Sequence, residues 1–331
     1  LDNGTYKEPC KMTVGQWLDI WTADYMGGVK PSTAFLYGEQ IRLYIKPALG
    51  AVKLEALNTH TIQGFYNSLR TEREGGRPLS PKSVKNVHGI LHKALQQAVA
   101  VGYLRFNPAD ACTLPRAEKK EINPLDEEQI ATFLKAIEGH RHELLYKVAL
   151  FTGMREGEVL GLMWDCVDFE KGTIAIKRQL RREQKKGGAY YITTPKNGKP
   201  RTIAAAPWVM MLLRSQKARQ AEQQLKMGPL WEDSGMVFTN ETGGYLSYRT
   251  VYDCFKRIVA QIGTPSTRFH DLRHTFAVAS LRAGDDIKTV QDNLGHHTAA
   301  FTLDVYGHVT EQMKKDSARR MEGFIKGVLN L

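Results

Sequence analysis

The chain has 331 residues, and its 46 lysines and arginines against 35 aspartates and glutamates give a formal net charge of +11, which favours a polyanionic partner. No segment approaches the roughly 20 apolar residues of a membrane helix, and no signal peptide opens the chain, so we expect a cytosolic protein with no membrane partner. The four cysteines form no Cys-x-x-Cys pair, and we expect reduced thiols: Cys10, Cys112, Cys166 and Cys254.

Apolar residues at helical spacing predict a small α-helical domain over residues 1–113. One helix carries Val14, Trp17, Leu18 and Trp21, and a second starts at residues 31–33 and carries Leu36, Ile41 and Ile45. A third is predicted from Thr59 to about Leu69. A fourth begins at Ser80-Pro81, with serine as the cap and proline in the first turn, and continues to Gly102.

Two of these predicted helices have polar faces able to meet DNA. The candidates on the later helix are Lys82, Lys85 and Asn86, and those on the earlier one are Thr33, Tyr37 and Arg42. The alternative is that these residues form ordinary solvated helix faces.

The polar, proline-bracketed segment 114–124 predicts a linker, followed by a second domain over 125–331. Its helices are predicted to start near Asp126, to run from Leu144 to Phe151, and to run from about Ser247 to Gln261, where Arg249 and Lys256 are further candidates for DNA contact. An amphipathic helix is predicted over about 311–329.

Strand-like segments at Thr173–Ile176, Ala189–Thr193 and Arg201–Ala204 predict a three-stranded antiparallel sheet. Asn197-Gly198, between the second and third, is typical of a β-hairpin turn. Residues 181–186 are predicted to be a basic insertion ahead of that hairpin. The fold class expected for the chain is therefore mainly α with a small antiparallel β-sheet (α+β).

Three separated motifs carry chemistry suited to a phosphodiester. Arg155 lies in Gly153-Met154-Arg155-Glu156-Gly157-Glu158, and His270 and Arg273 lie in the segment 269–275. His296 follows Leu294-Gly295, and Tyr306 comes ten residues later. Two guanidinium groups can hold the anionic oxygens of a phosphoryl transition state, while imidazoles donate or carry protons and a tyrosine hydroxyl attacks phosphorus. The alternative for Arg155 is a simple ion pair with Glu158.

These motifs, in this order, resemble those of the tyrosine recombinase family, to which phage lambda integrase belongs. The matching elements are Gly-x-Arg-x-x-Glu, His-x-Leu-Arg-His, Leu-Gly-His and Tyr-x-His, which end at Glu158, His274, His296 and His308. The resemblance implies that Tyr306 is the nucleophile, that Glu158 and Asp271 support the catalytic side chains, and that a hairpin lysine is the general acid. Lys196 is expected in that role, with Lys199, Lys185 and Lys186 as alternatives.

The resemblance also implies how such a protein acts. We expect a core-binding domain and a catalytic domain that close on double-stranded DNA as a C-shaped clamp, with no cofactor and no metal. Cleavage through a 3′-phosphotyrosine and a Holliday junction would excise and integrate a mobile element, a conjugative transposon or a prophage, at its ends and target sites. A tetrameric synapse with the C-terminal helix docking in trans, DNA-bending accessory factors and an arm-binding domain ahead of Leu1 are further expectations.

Two other functions fit part of the sequence. A type IB topoisomerase-like enzyme would share the chemistry but act as a monomer, and the helical first domain and amphipathic tail favour recombination over it. A non-catalytic DNA-binding regulator would need neither the tyrosine nor the two arginines.

Overall fold

The computed structural model describes residues 11–71, 76–118, 123–183, 187–195, 198–295 and 310–329, and in the last range it describes side chains only at 315 and 318–329. The chain forms two compact units, Leu1–Lys120 and Glu121–Leu331, which divide within the segment 114–124. Among the described helices, none combines the length and the apolar character needed to cross a membrane.

The first unit is helical, as predicted, and its helices are α1 (Val14–Asp24), α2 (Pro31–Gln40), α3 (Lys46–Leu49), α4 (Thr59–Ser68) and α5 (Pro81–Ala100). The Ser80 side chain accepts the Ser83 N–H, which caps α5 as its sequence indicates. Trp17 of α1 is fully buried and donates its indole N–H to the Ala94 carbonyl of α5 at 2.8 Å. This bond satisfies a polar group inside the core and fixes α1 against α5.

A π-helical segment, Ile41–Ile45, joins α2 to α3. The prediction that Leu36, Ile41 and Ile45 share a buried face is only partly right, because Leu36 is 48% exposed while the two isoleucines are buried. Residues four apart share a helix face, but residues five apart do not, so Leu36 could not extend the stripe of the isoleucines.

The described helices of the second unit are α6 (Glu127–Ala136), α7 (Glu143–Thr152), α8 (Glu156–Leu160), α9 (Pro207–Met227), α10 (Tyr248–Gln261), α11 (Phe269–Ala283), α12 (Ile287–Leu294) and α13 (Thr310–Leu329). Three of them, α6, α7 and α10, contribute rings to an aromatic core. Asp126 caps α6 and Ser247 caps α10, so both predicted starts are confirmed, as is the C-terminal helix. The rings of Phe133, Tyr146 and Phe255 lie 5.8–6.3 Å apart at the centre of this core.

In the described part of the chain, five short strands form two antiparallel sheets rather than one. The strands are β1 (Val167–Asp168), β2 (Thr173–Ile176), β3 (Gln179–Arg182), β4 (Tyr190–Thr193) and β5 (Arg201–Ala204). The first sheet has the order β1-β2-β5, and β3 pairs with β4 in the second. The mainly α fold class is confirmed, and β2 and β5 do lie in one antiparallel sheet, whereas the placement of β4 in that sheet is wrong.

The predicted hairpin around Asn197-Gly198 is also wrong, because β4 and β5 do not pair with each other. The connection contains Pro195 and Pro200, which have no N–H to donate to a ladder, and each flanking strand finds its partner elsewhere. Arg181 and Arg182, predicted to be part of a basic insertion, instead lie in β3.

Candidate active site

Gly153 closes α7 and sets the start of the site. Its φ of +60° lies in the left-handed region that favours glycine. A Cβ at this position would lie 2.4 Å from the Phe276 ring and 2.8 Å from the Leu294 side chain, so only glycine lets the end of α7 approach α11 and α12 this closely. Arg155, two residues later, is the N-cap residue of α8.

Glu158 accepts hydrogen bonds from both the side chain and the backbone of Arg155. Its Nη1 donates to Glu158 Oε1 at 2.8 Å, and its backbone N–H donates to Glu158 Oε2 at 3.0 Å. The Glu158 side chain has no solvent-accessible surface. Burial alone would raise the pKa of Glu158, but hydrogen bonds and charge from Arg201 and Arg155 outweigh it and hold that pKa at about 2. The pair is therefore a buried, ionised anchor and not a solvated surface ion pair.

Arg273 brings a second guanidinium to the same place from α11. It is 2% exposed, and it donates to the Gly153 carbonyl at 2.8 Å and to the Leu294 carbonyl at 2.5 Å. Arg155 donates its other terminal nitrogen to the Gly295 carbonyl at 3.3 Å. The two predicted catalytic arginines thus converge on the carboxyl end of α12, immediately before His296 in the chain.

His270 lies one turn before Arg273 on α11. Its exposed side chain lies edge-on to His274, with ring centroids 4.9 Å apart. The pKa of His270 is lowered by the protein packed around it and by the nearby His274 and Arg273, which favours a neutral imidazole.

Asp271 stabilises the start of α11. Its carboxylate accepts the Arg268 backbone N–H at 2.7 Å and the Arg268 guanidinium at 2.6 Å. Asp271 therefore fixes the helix end that carries His270 and Arg273.

Glu156, between Arg155 and Glu158 in the chain, has a different environment. In the described part of the chain its Oε1 is buried without a hydrogen-bond partner, and burial raises the pKa of Glu156 to about 7.

We expect Glu156→Gln to stabilise the protein at pH 8 by about 1–2 kcal/mol and to change little at pH 5. A raised carboxyl pKa means that the folded state loses stability as pH rises from the ordinary value of 4.5 to about 7. Thermal denaturation at both pH values would measure this effect, with Glu222→Gln on the exposed face of α9 as the control. Equal shifts at both pH values would contradict the assignment.

Three predicted catalytic residues, Lys196, His296 and Tyr306, lie outside the described residues. Lys199 is described and exposed. Within the described ranges, no group of three or more His, Cys, Asp or Glu side chains is placed to hold a metal ion. The described residues instead assemble guanidinium groups, which suit an anionic oxygen.

The predicted DNA-contact residues divide into two groups. Exposed side chains are found at Lys82, Lys85, Asn86, Arg42 and Arg249, the last two in ion pairs with Glu39 and Asp253. Thr33 is half-buried on α2.

Tyr37 and Lys256 have intramolecular roles in the structure. The Tyr37 ring stacks on Trp21 at 6.2 Å, and its hydroxyl accepts a hydrogen bond from Lys93. Lys256 donates to the carbonyls of Pro265 and Thr267, just before α11. Helical spacing in the sequence showed that Tyr37 and Lys256 lie away from the apolar faces of their helices. It did not show that other residues of the same chain bind them.

Arg201, the first residue of β5, was not assigned a role from sequence. Its Nη1 and Nη2 donate to the two oxygens of Glu158 at 3.0 and 2.6 Å, and its Nε donates to the Asn293 carbonyl at 2.8 Å. Strand alternation was the available clue, because Arg201 shares the inward face of β5 with the buried Ile203. A charged residue on an inward face requires a partner.

The comparisons with known proteins identify the family of this chain. The family model described as "Phage integrase family" matches residues 123–313, and that of "Phage integrase, N-terminal SAM-like domain" matches residues 13–70. The chain belongs to the phage integrase family, and it is an enzyme of the tyrosine recombinase class.

Individual relatives are similar over most of their length. A "Tyrosine recombinase XerC-like" protein of Caldanaerobacter subterraneus is 29% identical over 97% of this chain and 85% of its own. The ICEBs1 integrase of Bacillus subtilis is 27% identical over 75% of this chain and 67% of its own. The Tn1549 transposon integrase, solved in complex with transposon right end DNA, has a TM-score of 0.78 at 24% identity and covers 94% of this chain and 100% of its own.

Proposed function

We propose that this protein is a site-specific recombinase that cuts and rejoins double-stranded DNA at the ends and target sites of a mobile element, a conjugative transposon or a prophage. The observation that carries the proposal is the convergence of Arg155 and Arg273 at the end of α12. The similarity to the ICEBs1 and Tn1549 integrases supports a mobile element as the substrate. The proposed place of action is the bacterial cytosol or nucleoid.

In the proposed reaction, the Tyr306 hydroxyl attacks the scissile phosphorus and the bond from phosphorus to the 5′ oxygen breaks. The strand then carries a 3′-phosphotyrosine, and the leaving oxygen takes a proton from Lys196 to become a 5′-hydroxyl. Arg155 and Arg273 hold the non-bridging oxygens, where negative charge increases in the transition state. His270 and His296 donate hydrogen bonds or carry the tyrosine proton.

The rejoining step reverses this chemistry with a new partner. A 5′-hydroxyl from the second duplex attacks the phosphotyrosine, the bond from phosphorus to tyrosine breaks, and Tyr306 regains its proton. Because the phosphotyrosine stores the energy of the broken bond, this exchange needs no external energy source. One exchange gives a Holliday junction and a second resolves it.

The test of the function is strand transfer. The protein is incubated with a nicked duplex carrying the element end, and the covalent adduct is then supplied with a duplex that has a free 5′-hydroxyl and a matching overhang. We expect the wild-type protein to give joined product, which a denaturing gel would resolve. Relaxation of supercoiled DNA without any Holliday junction between two full-site duplexes would favour the topoisomerase-like reaction, and the absence of an adduct would reject both.

Exposed side chains on α5 extend the proposal to DNA binding by the first unit. Lys82, Lys85 and Asn86 lie on the solvent face of that helix, away from its buried residues Val84 and Val87. We assign to them contacts with phosphates or base edges. DNA-bending accessory factors that help to bring the sites together are also part of the proposal.

The C-terminal helix α13 supports a proposed assembly on DNA. Its exposed apolar side chains are Met321, Phe324, Ile325, Val328 and Leu329, with exposures from 41% to 66%. An exposed apolar face of this kind is typical of an interaction surface. Two duplexes cut on both strands need four nucleophiles, so the proposed complex is a tetramer in which α13 of one copy docks on the next.

Removal of residues 324–331 is therefore expected to weaken multimer formation on DNA while leaving the binding of a single copy to one half-site in place. Native gel shifts with half-site and full-site duplexes would separate the two effects. Lys326→Ala is the matched control, since Lys326 pairs with Glu322 on the same helix and leaves the apolar face intact. Undiminished assembly by the truncated protein would reject docking through α13.

A further inference from the structure

The Arg201 side chain forms its hydrogen bonds inside the protein. Its two terminal nitrogens meet the two oxygens of Glu158, and its Nε meets the Asn293 carbonyl. The side chain is 11% accessible, compared with 21% for Arg155. This geometry is a bidentate clamp on a carboxylate, which only a planar guanidinium makes.

The carboxylate that Arg201 clamps is the same one that orients Arg155. Each Glu158 oxygen accepts one hydrogen bond from Arg155 and one from Arg201. The cations that face Glu158 are Arg155, from the start of α8, and Arg201, from β5. Removal of Arg201 would leave a fully buried carboxylate with one cation, and its ionised form would be less stable.

Arg201 is also one of three arginines on three consecutive carbonyls at the end of α12. Asn293 accepts from Arg201, Leu294 from Arg273 and Gly295 from Arg155. The last carbonyls of a helix have no intrahelical donor, and the carboxyl end of the helix dipole favours cations. The two predicted catalytic arginines therefore share their support with Arg201.

Gly295 permits the close approach of Arg201. Its φ is +62°, and a Cβ at this position would lie 3.0 Å from Arg201 Cδ. The left-handed turn and the nearby guanidinium both favour glycine at this point.

We propose that Arg201 is a positioning residue for the cleavage step, which fixes Glu158 and through it aims the Arg155 guanidinium beside the end of α12. In this role Arg201 acts through Glu158 rather than on the DNA itself. It ties β5, which follows Lys196 and Lys199 in the chain, to the helix end that continues into His296. This inference rests on the proposed function and adds a residue to its machinery.

The test compares Arg201→Gln and Arg201→Lys in single-turnover adduct formation on the nicked duplex, at saturating protein and from pH 5 to pH 8. We expect Arg201→Gln to slow cleavage by about 10- to 100-fold without weakening DNA binding, because the Arg155 guanidinium is no longer held in place. The rate of this variant should also rise with pH more steeply than that of the wild type. The reason is that the pKa of Glu158 rises when Arg201 is absent, and protonation of Glu158 releases Arg155.

Lysine keeps one positive charge on Glu158, so Arg201→Lys should react at an intermediate rate without the added pH dependence. Arg178→Gln, which removes a guanidinium from an ion pair with the half-exposed Asp165, is the matched control and should react as the wild type does. Wild-type rates for Arg201→Gln at every pH, or a slower rate explained by weaker DNA binding, would overturn the proposal.

Thermal denaturation identifies any variant that fails to fold. If Arg201→Gln does not fold, the Arg201→Lys variant alone tests the proposal. Slower cleavage by that variant at unchanged affinity for DNA supports the positioning role, and a wild-type rate overturns it. If the wild-type protein itself forms no adduct, the proposed function is at fault and not the role of Arg201.

Discussion

Replacement of Tyr306 with phenylalanine is expected to abolish the covalent protein–DNA adduct while leaving non-covalent binding to the element end unchanged. In the proposed reaction, this change removes the oxygen that attacks phosphorus and keeps the two arginines that are proposed to hold the phosphate. Denaturing gels would measure the adduct, and gel shifts under native conditions would measure binding.

Tyr191→Phe is the matched control for this change, because Tyr191 lies in β4 with 41% of its surface exposed. The control should form adduct at the wild-type rate. An adduct that persists in Tyr306→Phe would mean that another hydroxyl is the nucleophile, and peptide mapping of the adduct would then identify it.

Replacement of Arg155 with alanine is expected to slow cleavage by about 10²–10³-fold, the usual loss for one preorganised donor at a developing oxyanion. The fold should persist, because Glu158 keeps its bidentate partner Arg201. Single-turnover rates at saturating protein, together with a thermal midpoint, would measure the two effects separately. A variant that cleaves at the wild-type rate would remove Arg155 from the catalytic residues.

Local features of the sequence predicted most of the helical framework. Ser80, Asp126 and Ser247 each mark a helix start, since a capping side chain acts on backbone groups only three residues away. Buried residues at helical spacing, such as Trp17 and Leu18, identified the core face of α1 for the same local reason.

The sheet partners could not be predicted in this way, because strand pairing joins distant segments. The Asn197-Gly198 pattern favoured a local hairpin, but β4 pairs with β3 and β5 with β2. A turn motif indicates only the conformational preference of its own few residues, whereas the register of the surrounding strands depends on the whole domain.

In the candidate site too, short motifs predicted some residues, whereas a contact between distant segments was missed. The motifs predicted Arg155, Glu158 and Arg273, and the structure brings these three together at the end of α12. Arg201 was missed because its partner Glu158 is 43 positions away in the chain and no short motif links them. The position of Arg201 on the inward face of a strand indicated only that this arginine needs a partner.

The role of the arginines as a charge clamp is tested most directly with a methylphosphonate at the scissile position. This substitution replaces one anionic oxygen with a methyl group, so the phosphorus centre no longer carries the charge that a guanidinium would stabilise. We predict that Arg155→Ala, which is slow on the normal phosphate, forms adduct on the methylphosphonate about as fast as the wild-type protein does. An equal deficit of the variant on both substrates would contradict the clamp.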